Sequence, residues 1–429
     1  MDHGLKPMAP DEKVLTASRG AADYAERMKR VMDAVALRQP DRVPVAFFNM
    51  FWLARYGGIS YREAMYNYDR LTEIARRAFL ELQPDMYAHP HFLTAVGPVM
   101  EKMGYKQLQW PGHGTAADVS YQYVDREYMK AEEYDDYLLD PTGFYLHTYL
   151  PRVGEAFEGL EQLPLFPGLY YMRLVVASRQ FASPGVLRAF AALKETGDEA
   201  TRLIEHANRF AAEMAELGFP LTNGATAPAP FDMFTDYFRG SKGILLDMYR
   251  HKDKLLAAIE RAAIFITRQT IATCKASSSK IVFIPLHWAF DGFMSLAQFK
   301  IFYWPSLRKL MLDLIDAGLV PMPLWEGDCT TRLETIADIP RGKAIYWIER
   351  ADLIRAKEIL GDVVCLRGNV PASMLTTGTA DEVDAFSCRL IEKVGKGGGL
   401  ILDCAIGIPD ESKPENVRAM FQAARKYQP

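Results

Sequence analysis

The chain has 429 residues, of which 49% are hydrophobic and 24% charged, an ordinary globular composition that excludes a disordered, collagen-like or coiled-coil chain. Fifty Lys and Arg against 54 Asp and Glu give a net charge of -4 with both signs interspersed, which argues against a nucleic-acid surface and against a strongly basic partner. A chain this long buries roughly three quarters of its unfolded surface and needs no disulfide or metal to fold. The five cysteines (274, 329, 365, 388 and 404) form no close-spaced framework, and MDHGLKPMAPDEKVLTASRG carries no apolar leader. The expectation is a reduced, cytoplasmic protein. Apolar runs fall short of the ~20 residues that cross a bilayer.

In chain order, residues 1–40 read as an N-terminal helical arm, helical over 21–37. A first strand is expected at 42–48, a helical pattern over 60–82 and a weak second strand at 85–88. Residues 95–195 break the rhythm with aromatic, Asp and Pro clusters (EEYDDYLLDP, LPLFPGLYYM) and read as a long βα insertion capping one end of the fold. A helix at 198–217 leads to a third strand at 219–224. Strands then follow at 281–287, 320–326, 343–349, 362–368 and 399–404, with helices at 296–317, 331–337, 352–360 and 380–394. Strand–helix alternation implies a parallel sheet, and eight such strands fit a closed (β/α)8 TIM barrel over 41–429. An open doubly wound sheet competes, but it usually carries a Gly-rich first turn. Here Asn49-Met-Phe-Trp52 follows Phe48.

Barrel enzymes place their chemistry at the C-terminal strand ends. His287, Glu326, Cys365 and Cys404 fall at or near four such ends, and they are residue types that zinc accepts. The 39-residue steps from 326 to 365 to 404 are barrel-repeat spacings, not a local metal knuckle. A bland reading stands beside each. A lone strand cysteine is commonly a small core residue, and His287 can be a hydrogen-bonded core histidine. Glu326, flanked by Trp325 and Gly327, must be paired, protonated or metal-bound if it is buried. Cys274, Cys329 and Cys388 read as structural. Phe48, Asn49, His89, Asn223, Trp288, Asp291, Tyr346 and Asn369 are assigned to substrate binding. Asp291 and Glu349 are also acid–base candidates, with surface ion pairs to Arg350 or Lys300 as the competing role. His89 and His91 reach the mouth only as an i, i+2 pair on a strand, with Pro90 between them. The aromatics Phe47, Phe51, Trp52, Tyr170 and Tyr171 are favoured as core over pocket lining.

Several segments together resemble the uroporphyrinogen decarboxylase superfamily: Asp41-Arg-Val-Pro-Val, Gly58-Ile-Ser-Tyr-Arg-Glu-Ala64, Trp304-Pro305, Val364-Cys-Leu-Arg-Gly-Asn-Val-Pro371, Gly378-Thr-Ala-Asp-Glu-Val383, Gly397-Gly-Gly-Leu-Ile-Leu, Gly407-Ile-Pro409 and Pro414-Glu-Asn-Val. The resemblance covers roughly residues 38–426 and itself implies a TIM barrel. The decarboxylases carry an Arg-Gln-Ala-Gly-Arg segment that binds substrate carboxylates. The corresponding stretch here, Phe47 to Trp52, has no arginine before Arg55, which disfavours a polycarboxylate tetrapyrrole. The other branch contains zinc methyltransferases that exchange methyl groups with corrinoid proteins, through His-x-Cys at strand five and a Cys near strand eight. Here strand five reads Leu324-Trp325-Glu326, with Glu326 in the Cys place, and Cys404 lies two residues before the expected position, which is Ile406. A carboxylate-containing set suits an oxygen ligand, as in corrinoid O-demethylase methyltransferases, which the chain resembles most.

The resemblance thus implies zinc held by His287, Glu326, Cys365 and Cys404, with Glu326 and His287 catalytic. It implies methyl transfer from a methoxylated aromatic compound to the cobalt of a corrinoid carried by a separate protein, since no Asp-x-His-x-x-Gly signature occurs. A homodimer is also implied. The alternatives are a metal-free decarboxylase, transfer from a corrinoid protein to a thiol or other acceptor, and a non-catalytic binding barrel.

Overall fold

Eight short parallel strands form the core: β1 (Ala46–Phe47), β2 (Met86–Tyr87), β3 (Ala225–Thr226), β4 (Ile281–Leu286), β5 (Val320–Trp325), β6 (Ile345–Ile348), β7 (Cys365–Val370) and β8 (Leu400–Cys404). The structure is a computed structural model and describes residues 10–163 and 169–428, with side chains from residue 19 onward. Residues 1–9 of the expected arm and 164–168 of the proline-rich stretch lie outside the described residues. Strands β3 to β8 pair in sequence order and β1 pairs with β2. Parallel bridges between Val45 and Leu402 and between Tyr87 and Leu221 join the two sheets into a closed cylinder. The (β/α)8 barrel expected from the alternation is the fold.

Period-2 alternation sorts the strand residues into two separate apolar layers. Phe283, Met322, Leu324, Trp347, Cys365 and Ile401 fill the lumen. Ile284, Trp325, Tyr346, Leu366, Leu402 and Cys404 pack outward against the helices. At mid-height Arg367 and Asp403 pair across β7 and β8, and the guanidinium lies 3.7 Å from the Trp347 ring centroid. The barrel is therefore filled, not a pore. At the end where the strands begin, Val31, Ala34 and Val35 of the first helix, Pro10–Val35, join the lumen cluster as a floor. Buried Asp85 ties that helix down, accepting from Arg30, Arg42 and the Val45 amide at 2.7–2.9 Å.

The helical stretch predicted over 60–82 is two helices, Tyr61–Tyr66 and Tyr68–Leu82. Asn67 leaves helical geometry and its side chain caps the second. The helix expected from residue 198 begins at Pro184 and runs to Glu216. Its Ser183 N-cap and proline in the first turn form a start signal that lies inside the stretch read as insertion. The third strand sits later than 219–224. The lead-in bridges β2 at Leu221, but the regular strand is Ala225–Thr226. The helix predicted over 296–317 has a wide turn at Phe299–Tyr303, next to Pro305, which cannot donate a backbone hydrogen bond.

Residues after β2 form the cap. A three-stranded sheet (Leu108–Pro111, Gly114–Thr115, Gln122–Tyr123) and several short helices precede the long helix. Buried Asp247 anchors the cap, pairing with Arg239 and accepting from Tyr134 at 2.8 Å. Among the described residues no helix is long and apolar enough to cross a membrane.

Candidate active site

The alternation that points Phe283, Leu324 and Trp347 into the lumen carries on, past the strand ends, to His287, Glu326 and Glu349 at the mouth. His287 Nε2 lies 3.7 Å from a Glu326 carboxylate oxygen, and its Nδ1 lies 2.6 Å from Asp236. The second Asp236 oxygen accepts the Trp288 indole N–H. Asp236 and Asp232 stand one helical turn apart on the segment after β3, which runs from Pro230–Asp232 into a wide turn at Met233–Arg239. Asp232 accepts from the His287 amide and the Tyr303 hydroxyl, each at 2.8 Å. Glu349 accepts the Gly327 amide. Gly327 has φ +71°, and a Cβ there would come 2.6 Å from the Phe290 Cβ, so this sharp exit from β5 requires glycine.

Burial opposes the charge on His287, but the Asp236 hydrogen bond and the surrounding carboxylates raise it to about 9. Burial, offset by His287 and reinforced by Glu349 and Asp236, raises Glu326 to about 7. Burial and Asp236 hold Asp232 well above the carboxylate range. The charges acting on Glu326 are those of His287, Glu349 and Asp236, with no arginine or lysine among them. Arg350 is exposed, and its ion-pair partner among the described residues is Glu349, at 3.2 Å. The site is thus an anionic cup with a shared proton store, walled on one side by Trp288 and Phe293, whose rings are 4.6 Å apart.

Of the residues expected here, the structure brings His287, Glu326 and Trp288 together. The expected zinc set does not assemble. Cys365 opens β7 in register with Ile345 and packs in the lumen cluster that includes the floor residues. It lies at the opposite end of the barrel from Glu326, and burial raises its thiol. Cys404 has the right height but the wrong parity. It packs outward in the helical layer, burial raises its thiol too, and only its carbonyl turns in, accepting from Trp347. Among the described residues no group of three or more His, Cys, Asp or Glu side chains is arranged to hold a metal. Of the four expected ligands only His287 and Glu326 reach the mouth, and two side chains do not make up a protein zinc site.

Other assignments need correction for similar reasons. Tyr346 points outward and donates to the Ile336 carbonyl at 2.8 Å. Asp291 is occupied by the Thr331 amide and hydroxyl and by Arg332, not by Arg350 or Lys300. Asn49 is buried, and its amide oxygen accepts from Leu53 at the start of the next helix. Asn369 donates to the Ala351 carbonyl at 2.9 Å and lines an outer groove beside Glu349. Phe48, His89 and Asn223 do share a space, a cleft of about 640 Å³ in the wall between β2 and β3. It is separate from the mouth. Phe48 packs on Phe283 and Trp347, and so stands between cleft and lumen. His89 heads a short helix and bonds Ala207, and burial lowers it to about 4. His91 is a neutral core histidine, lowered by burial to about 3.

Asp232 and Asp236 were not among the expected residues. Two carboxylates one helical turn apart immediately after a barrel strand are a readable signal, but it falls outside a third strand placed at 219–224.

Residues 180–427 match the family model for uroporphyrinogen decarboxylase (URO-D). The uroporphyrinogen decarboxylase of Pseudomonas fluorescens is 26% identical over 197 residues, 44% of this chain and 52% of that protein. That of Chlorobium luteolum is 28% identical over 185 residues, 42% and 51% of the two chains. The chain spans about half the length of the curated relatives it matches. A solved methyltransferase from Methanosarcina mazei superposes with a TM-score of 0.61 at 17% identity, covering 93% of this chain and 98% of that one. That is a likeness of fold.

Proposed function

The chain belongs to the uroporphyrinogen decarboxylase family, and on that premise we propose that it is a methyltransferase, moving a methyl group from a methoxylated aromatic compound to the cobalt of a corrinoid held by a separate protein. The observation that carries this reading is the His287–Glu326 contact of 3.7 Å in a mouth supplied with carboxylates. A porphyrinogen presents carboxylates of its own, and this mouth would repel them. An aryl ether needs something different: a proton for the departing oxygen, and an aromatic wall for the ring.

The ether oxygen sits against Glu326, whose carboxyl holds its proton up to about pH 7. As the methyl carbon is attacked by the electron pair of the reduced cobalt, the carbon–oxygen pair stays on oxygen, and Glu326 protonates it to the phenol. His287 then returns a proton to Glu326 and is recharged from solvent. Asp236 fixes the imidazole ring through Nδ1, leaving Nε2 turned to Glu326. General acid catalysis of this kind contributes about 10²- to 10⁴-fold. Because Cys365 and Cys404 do not reach the mouth, no step here passes through zinc.

The test is anaerobic incubation with an uncharged methoxybenzene such as anisole and cob(I)alamin. Methylcobalamin and phenol should appear in equal amounts, and Glu326→Gln should slow their formation at least a hundredfold. Decarboxylation of uroporphyrinogen, or an unimpaired Glu326→Gln enzyme, would sink the reading.

A further inference from the structure

The cleft between β2 and β3 is a gap in the barrel wall that methyl transfer at the mouth does not use. On one side β3 pairs with β4. On its other side the chain bridges to β2 at Leu221, opposite Tyr87, and beyond that bridge the two strands part. Ala88, Ala211, Gly224 and Ala225 line the parting, and residues this small leave it about 640 Å³, the size of a small-molecule site.

The lining divides by chemistry. Toward the lumen stand Phe48 and Phe283, with ring centroids 5.6 Å apart. Toward solvent stand the amide of Asn208 and the hydroxyls of Thr273 and Ser277. Among the described residues no charged side chain lines the cleft, so an ionic ligand would lose its hydration there without gaining a counter-ion. The chemistry asks for an uncharged occupant, flat at one end and rich in hydroxyls at the other.

Two acceptors remain open to such a ligand. The Ala207 carbonyl can only accept, so the His89 Nε2 that lies 2.9 Å from it carries the ring proton. Nδ1 is then a bare acceptor, buried and without a hydrogen-bond partner, which is costly unless something donates to it. Asn223 commits its amide N–H groups to the Ala225 carbonyl and the Thr226 hydroxyl, which leaves its Oδ1 to accept. Phe92 packs on the imidazole with centroids 4.8 Å apart and is 49% exposed. An exposed ring changes rotamer readily, which gives a ligand access to Nδ1.

We propose that this cleft binds an uncharged purine nucleoside bearing an amino group. The base enters toward Phe48 and Phe283, and its amino group supplies two N–H donors, one for His89 Nδ1 and one for Asn223 Oδ1. The ribose hydroxyls stay at the rim with Asn208, Thr273 and Ser277. Because Phe48 separates cleft from lumen, this binding is independent of the methyl-transfer reading and stands or falls without it.

Isothermal titration calorimetry of the full chain with adenosine tests it. The wild type should bind one equivalent. N6,N6-dimethyladenosine keeps the outline and the ribose but has no amino N–H, and should bind about tenfold more weakly, the worth of roughly one well-made hydrogen bond. His89→Phe keeps a ring in place without the acceptor and should cost adenosine a similar factor. Glu326→Gln, at the mouth, should leave adenosine affinity unchanged. A wild type that does not bind adenosine overturns the proposal. Equal binding of the dimethylated nucleoside also overturns it, because the cleft is then only an apolar slot, and this comparison needs no variant to fold. A loss of affinity in Glu326→Gln overturns it as well, by placing the nucleoside in the mouth.

Discussion

Arg367 and Asp403 share two hydrogen bonds of 2.6 and 2.8 Å at the centre of the barrel, where neither side chain has any exposure. Even with this partner, burial lifts Asp403 to about 6. A pair so placed is costly to break and of little net worth when whole. Arg367→Met should therefore destabilise the chain by about 3–5 kcal/mol, whereas Arg367→Met with Asp403→Leu should recover most of the loss. Urea unfolding of the three proteins measures both.

The pH dependence follows from two groups raised in the folded state. Glu326 must carry its proton to serve as the acid, so the single-turnover rate should fall as pH rises through about 7. Glu349→Gln removes one of the negative charges that hold Glu326 up, and should move that limb to lower pH. An unmoved limb would show that another group titrates.

His287 gives the matching effect on stability. It is raised from 6.5 to about 9, so its contribution is complete below about pH 6.5 and is lost as pH rises through 9. The melting temperature should decline over that window. In Asp236→Asn the principal support for the imidazolium is gone, and this part of the decline should flatten. The same variant should lose roughly a hundredfold in rate, because the ring that feeds Glu326 is no longer held. Scanning calorimetry and rate measurements on one protein preparation check both outcomes.

Cys365→Ala and Cys404→Ala should each retain activity within about twofold and cost on the order of 1 kcal/mol, as losses of small buried groups. Metal analysis should show no difference in bound zinc between these variants and the wild type. A zinc content that drops with either cysteine would contradict the placement of the two thiols at opposite ends and on opposite faces.

The barrel was legible because its signal is repeated. Five strands from 281 onward are apolar runs with a helix between each, and their edges moved by three residues at most. The site was legible only in part. His287 and Glu326 were found because strand ends are where barrels put chemistry, and because a carboxylate beside Trp325 has few alternatives. Parity separated the rest. Cys404, Tyr346 and Asn49 sit at plausible heights, but period 2 turns them outward, and whether a given residue faces in depends on a register that is set by pairing with neighbours remote in sequence. Cys365 failed on height, since the strand was expected from Asp362 while pairing begins at Cys365 itself. The Asp232–Asp236 support was lost to a third strand placed a few residues early. The extra turns of the Pro184–Glu216 helix were lost because their exposed face is apolar, which reads as anything but a solvent-facing helix.

The helix that seats Val31, Ala34 and Val35 under the strands makes the cylinder a thimble, and its middle is plugged by Arg367 and Trp347. For the proposed reaction this dictates traffic. Small molecule and bulky acceptor share one doorway, so the small one must enter first and leave last. An acceptor that arrives early forms a dead-end complex, and turnover should show compulsory order, with inhibition at high acceptor concentration.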